Sequence, residues 1–223
     1  MGERLADLNV FDWLGMGIFV GITVLALGCF LFFFAKYRKS EEKTKIQVAF
    51  LIFFLCLGIV RGILLYYDYR YLVMEIQELV ALKISNIFLM GGVGSVIFAS
   101  ENGVFKGKDF YGFLIGFLIL FSLSIVYPDA SMAQGFMLLA MLFAVFIPIS
   151  YIYLAYKFPV SRKNIVLMFV GFGIFIIGLF SAFTPVVETY GAIAHELYFI
   201  GAIVQAVGFS LFTIGIKRMY FAR

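Results

Sequence analysis

Apolar runs of about 20 residues, separated by short polar connections, set the rhythm of this chain. A run of that length, rising 1.5 Å per residue as a helix, crosses the roughly 30 Å hydrocarbon layer of a bilayer. Seven such runs are predicted, at about 12–35, 46–67, 79–100, 110–127, 132–156, 165–183 and 192–216, the third with an alternative start near Tyr71. In the last run Ala194, Gly201, Gly208 and Gly215 recur at intervals of seven, and Tyr198, Gln205 and Phe212 stand four residues on from the first three. These spacings share one stripe of a helix. In lipid, small residues let helix backbones approach closely, so this span is the one its neighbours are expected to pack against.

Other positions refine the elements. Gly17 and Gly21 form a small-xxx-small pair in the first span, and Gly91, Gly92, Gly94 and Ser95 in the third suit close packing, with a hinge or irregular backbone as the alternative. Pro148 removes one backbone hydrogen bond from the fifth span and should kink it. Asp12 and Trp13 suit the water–lipid interface. Glu101 reads as a solvated carboxylate at a helix end, with a cytoplasmic latch near Lys106 and Lys108 as the alternative.

Composition agrees with the pattern. The chain has 223 residues, 64% of them hydrophobic and 13% charged, and its mean hydropathy is +1.06. A soluble domain of this size could not bury that much apolar surface. The fold class is therefore an all-α integral membrane protein, a single seven-helix bundle over residues 1–223. Its first run is too long for a signal peptide and lacks a small-residue cleavage site, so it is expected to stay as a helix. Cys29 and Cys56 both fall inside apolar runs and suggest neither a disulfide framework nor a thiolate metal site.

Charge adds an orientation. Alternate connections and the C-terminal tail hold thirteen of the seventeen Lys and Arg: Lys36, Arg38, Lys39, Lys43, Lys45, Lys106, Lys108, Lys157, Arg162, Lys163, Lys217, Arg218 and Arg223. The positive-inside rule makes that side cytoplasmic, with the N-terminus outside and the C-terminus inside the cell membrane. The net charge of +4 is topology and attraction to anionic headgroups, with no nucleic acid implied.

Candidate chemistry lies in the outer half. An ionised group within a span costs at least a few kcal/mol, which makes it a pointer to function. Arg61 stands about six residues, or roughly 9 Å, from the predicted outer end of span two. Lys83 and Asn86 in span three, and His195, Glu196, Tyr198 and Gln205 in span seven, complete a candidate ligand-binding set. The competing reading has Lys83, His195 and Glu196 as interface residues that reach water, and Gln205 as an interhelical hydrogen-bonding residue.

With its N-terminus outside, the topology resembles that of microbial rhodopsins, but a retinal Schiff base needs a lysine mid-span where Gln205 stands. It also resembles the sugar transporters built as three plus one plus three helices. Those carry a proline in each of four gating helices, and spans one, two and six have none inside. Zinc-dependent membrane hydrolases and bis-histidine haem proteins need more than the one histidine present. An intramembrane serine protease would pair Ser95 with His195, which lie at opposite ends of the bundle. No catalytic residue, metal or cofactor is expected.

The reading that remains is non-enzymatic: a receptor-like sensor or scaffold with an outward-facing polar cavity for a small ligand, ion or lipid head group. The alternatives are a small transporter or channel for an anionic solute, and an accessory subunit of a membrane complex. Expected partners are membrane lipids, a cytoplasmic or membrane protein, and a second copy of the chain.

Overall fold

The computed structural model describes residues 10–41, 43–74, 79–105, 111–127, 132, 136, 139, 140, 142, 143, 146–181 and 194–221, of which 67–74, 79, 81, 82, 180, 181, 194 and 195 are described by their backbone alone. The helices are α1 (Val10–Lys39), α2 (Lys45–Met74), α3 (Leu79–Phe105), α4 (Gly112–Val126), α5 (Phe146–Lys157), α6 (Arg162–Ser181) and α7 (Ala194–Tyr220), with a short 3-10 turn at Pro159–Ser161. No strand occurs among the described residues. Five stretches are long and apolar enough to cross a membrane: Val10–Lys39, Lys45–Tyr66, Lys83–Phe105, Pro159–Leu179 and Glu196–Tyr220; Gly112–Val126 is apolar but shorter. The chain is thus an all-helical, multi-pass membrane protein. Most of the stretch before α5 lies outside the described residues, and Pro148 falls near the start of the described part.

Most helices end a few residues from the predicted bounds, α1 at Lys39 and α3 at Phe105 for example, and span two shifts further. The helix of span two does not stop at Tyr67 but continues to Met74, and α3 begins at Leu79 rather than near Tyr71. A helix that leaves the apolar layer keeps its own backbone bonds, so polarity alone does not end it.

Several ends have identifiable caps. At the start of α2, the Thr44 amide donates to Gln47 Oε1 at 3.0 Å and the Gln47 amide donates to Thr44 Oγ1 at 3.2 Å. This reciprocal pair is a capping box. Glu101, expected to be solvated, is instead 1% exposed. Its Oε1 accepts from the amides of Phe113 at 2.9 Å and Leu114 at 3.4 Å. Tyr111, at the α4 N-cap, makes no side-chain cap hydrogen bond, so a carboxylate from the end of α3 satisfies those amides and complements the helix dipole. The solvated reading of Glu101 is therefore corrected to a buried cap of α4, while Lys106 and Lys108, its expected neighbours in a latch, lie outside the described residues. Arg162 Nε donates to the Ala155 carbonyl at 3.2 Å and ties the start of α6 to α5.

The helices neighbour one another around a closed circuit: α1 on α2, α2 on α3, α3 on α4 and α5, α5 on α6, α6 on α7, and α7 back on α1. Phenylalanine fills the interior, with Phe19, Phe33, Phe50, Phe54, Phe117, Phe121 and Phe212 among the largest fully buried side chains.

The closest approach is between α6 and α7. A Cβ on Gly208 would overlap the backbone of Ile174 and Phe175, one on Gly171 that of Leu211 and Phe212, and one on Gly178 that of Gln205. At Gly215 it would stand 2.5 Å from Met168 Cγ and 3.0 Å from the Asn164 carbonyl. Glycines seven apart on two antiparallel helices therefore interdigitate, and side chains there would force the backbones apart. The seam on α7 is as predicted from Gly208 and Gly215; the matching glycines of α6 went unread.

Two further expectations resolve. Gly91 and Gly92 pack α3 on α2, where a Cβ on either would lie 3.3 Å from Cys56 atoms, and α3 runs unbroken through them. Gly17 and Gly21, expected to serve packing, face outward with nothing within 4 Å of an added Cβ.

Candidate functional site

Arg61 of α2 is 3% exposed and Gln205 of α7 is 0% exposed. Arg61 Nη2 donates to Gln205 Oε1. On α1, the Phe19 ring centroid lies 4.3 Å from the guanidinium carbon. Phe19 meets Tyr198 of α7 edge-on, with centroids 5.3 Å apart and planes at 77°. The Tyr198 ring lies over Gly15, where a Cβ would come within 2.7 Å of it. One chain of contacts, Gln205–Arg61–Phe19–Tyr198, thus joins α7, α2 and α1.

The local sequence explains the placement. Met16, Phe19, Ile22 and Ala26 form the buried stripe of α1, at the three- and four-residue steps of a helix face. Gly178 lets α6 approach the backbone of α7 at Gln205, which fixes the height of that amide. A guanidinium out of water needs replacement partners. Here an amide oxygen and a ring face supply them, and the cation–ring term strengthens when desolvated.

Buried polar atoms stay open both at the node and further out along α7. Gln205 Nε2 and Glu196 Oε2 are buried and have no hydrogen-bond partner among the described residues. A buried donor and a buried acceptor without partners are uncommon enough to need a reason, a bound group or water being one.

Towards the basic end the node is closed off by rings. Phe54 meets Phe209 at 5.9 Å, Phe53 meets Phe212 at 5.4 Å, and Phe172 meets Phe212 at 5.3 Å. Phe175 sits 6.3 Å from Phe53 and 6.4 Å from Phe209.

Of the predicted site residues, the structure brings Arg61, Gln205 and Tyr198 together. Glu196 is half-buried one turn or less from Tyr198 on the same helix, and Asn86 is half-buried on α3. Lys83 is exposed and so is not part of the buried cluster. His195 lies in the first turn of α7, its side chain outside the described residues. Phe19 was missed, although its spacing from Met16 and Ile22 carried the signal. Asp12, expected at the interface, is 2% exposed. Among the described residues no three or more His, Cys, Asp or Glu stand together as a metal site would need.

Fold and site together define a helical membrane protein with an arginine-centred polar node inside an aromatic core. Compared with known families, known proteins and solved structures, the chain matches none.

Proposed function

We propose that the chain is a seven-span protein of the cell membrane, N-terminus outside and C-terminus cytoplasmic. It acts as a receptor-like sensor or scaffold, without enzymatic chemistry. Its outer end admits a small ligand, ion or lipid head group past Glu196 and Tyr198 towards Arg61 and Gln205. The observation that carries this reading is the guanidinium held inside the bundle by groups from α1 and α7. Any anion that competes for Arg61 acts on three helices at once, as a bistable switch requires. The phenylalanine layer argues against a transporter, since a solute path would have to cross it. An accessory-subunit or homo-oligomer reading rests on a different observation, the open glycine face of α1.

The test is thermal unfolding of the purified protein against small anions (phosphate, sulfate, acetate, succinate). A stabilisation is expected that disappears in the R61M/Q205L double variant, which replaces the polar pair with apolar groups of similar length. Equal stabilisation of wild type and double variant overturns the node as the ligand site. Uptake of the same anion into liposomes would replace the sensor reading with transport.

A further inference from the structure

The other end of the bundle holds a groove of about 960 Å³ where the last turns of α1 and α7 meet the first turn of α2. Lys36, Lys39 and Arg218 line it, with Glu41 the one carboxylate among the described lining residues. Of the neighbouring cations, Lys43 lies 5.7 Å from the Tyr37 ring centroid, outside the groove, and Lys217 lies 5.5 Å from the ring centroid of Phe32, on the groove's wall. Lys36, Lys39 and Arg218 make no ion pair or ring contact among the described residues.

The groove has a fixed floor. Gln47 is 7% exposed and lines it. Its side chain closes the α2 capping box and donates through Nε2 to the Tyr220 carbonyl at 2.8 Å, so α2 and α7 are pinned together beneath the cations. The walls differ in character. Phe32 and Ala35, one to two turns back along α1 towards the apolar layer, are also part of the lining, and Phe32 is 46% exposed.

The charges select the occupant. Among the described residues, three lining cations and one lining carboxylate leave a net charge of about +2, and Lys217 over Phe32 adds to the positive side. The helix ends contribute about half a charge each, positive from α2 and negative from α1 and α7, too little to reverse that sign. A phosphomonoester carries about −1.5 to −2 at neutral pH, a closer match than a phosphodiester with a single negative charge. A free phosphate would use the cations but leave Phe32 and Ala35 without a role. We infer that the groove binds a membrane lipid with a phosphomonoester head group, its phosphate among Lys36, Lys39 and Arg218 and its first methylenes along Phe32. This site is independent of the Arg61 node.

The test titrates the full-length protein in detergent micelles with dioctanoyl phosphatidic acid, dioctanoyl phosphatidylglycerol and glycerol 3-phosphate, reading bound ligand by native mass spectrometry. One phosphatidic acid per chain is expected. Phosphatidylglycerol and glycerol 3-phosphate should each bind at least tenfold more weakly. K36Q/K39Q/R218Q should weaken phosphatidic acid binding by about a hundredfold, from about 1 kcal/mol per surface cation, with an unchanged thermal midpoint. K83Q, at the other end, should bind as wild type does. Equal binding of the two lipids, undiminished binding by the triple variant, or equal loss in K83Q overturns the site. Glycerol 3-phosphate binding as tightly as the lipid overturns the lipid as its occupant.

Discussion

Glycines recur at helical spacing on both α7 and α1, yet their surroundings differ completely. An added Cβ on Gly208 would run into the backbone of Phe175, whereas one on Gly17 or Gly21 would meet nothing within 4 Å. The same contrast separates the in-span cations: Arg61 is 3% exposed and Lys83 is exposed on α3. It separates the carboxylates too, Glu101 buried as the cap of α4 and Glu41 exposed. Residue type and spacing say that a helix can be approached closely or can present a charge. Which neighbour takes up the offer is decided by packing, and the energetic weight follows the neighbour.

The sharpest way to break this contrast is at the seam. Gly208→Ala and Gly171→Ala should each cost about 3 kcal/mol, the upper end for overpacking, because the obstructing atoms are backbone and cannot rotate away. Unfolding titrated with sodium dodecyl sulfate measures it. A loss below about 0.5 kcal/mol would mean that α6 and α7 do not approach as described.

Next comes the cation pair. Arg61→Met leaves the Gln205 amide buried without its donor and should cost about 2 kcal/mol. Lys83→Met should stay within about 0.5 kcal/mol, as exposed positions do. Removing both ends of the buried pair, as R61M/Q205L, should recover most of the loss, since apolar replacement of a buried polar pair is often close to neutral. A double variant no more stable than R61M would show that Arg61 is held mainly by something other than Gln205.

How much of this was legible in the sequence follows the same division. Helix-forming runs show through because a bilayer demands about 20 apolar residues whatever surrounds them. The stripe through Gly208 and Gly215 was legible because period seven repeats on one helix. Its counterpart, Gly171 and Gly178, has the same period, but only the antiparallel register identifies it as the partner. Arg61 stood out by cost alone, and Gln205 by being polar mid-span. That the two bond, with Phe19 over the guanidinium, depends on three helices distant in sequence. Glu101 misled for a related reason: carboxylates at helix ends are usually solvated, and its burial depends on how α4 folds back onto α3. Lys83 has the sequence context of a buried charge, and the facing of α3 turns it outward.

Glu101 gives the third test. Glu101→Ala removes the acceptor for the Phe113 and Leu114 amides and should cost about 1 kcal/mol, as loss of a helix cap does. Glu101→Gln keeps an oxygen acceptor and should lose less. Glu41→Ala should be silent in the same titration. Equal effects of Glu101→Ala and Glu41→Ala would remove the buried cap from the account of α4.

The smallest effect is the most discriminating for α1. In an exposed helix, alanine is favoured over glycine by up to about 1 kcal/mol. With open space around Gly17 and Gly21, G17A/G21A should therefore leave stability unchanged or raise it slightly, the reverse of Gly208→Ala. That sign holds only while the face meets lipid. If a second helix packs there, two methyl groups would hold it off, and the variant would lose stability or mass as the partner departs. Light scattering of the protein–detergent complex, run beside the unfolding titration, separates the cases. Raised stability with unchanged mass makes the outward glycines of α1 a lipid-facing surface, and lowered mass makes them a contact that the isolated chain leaves open.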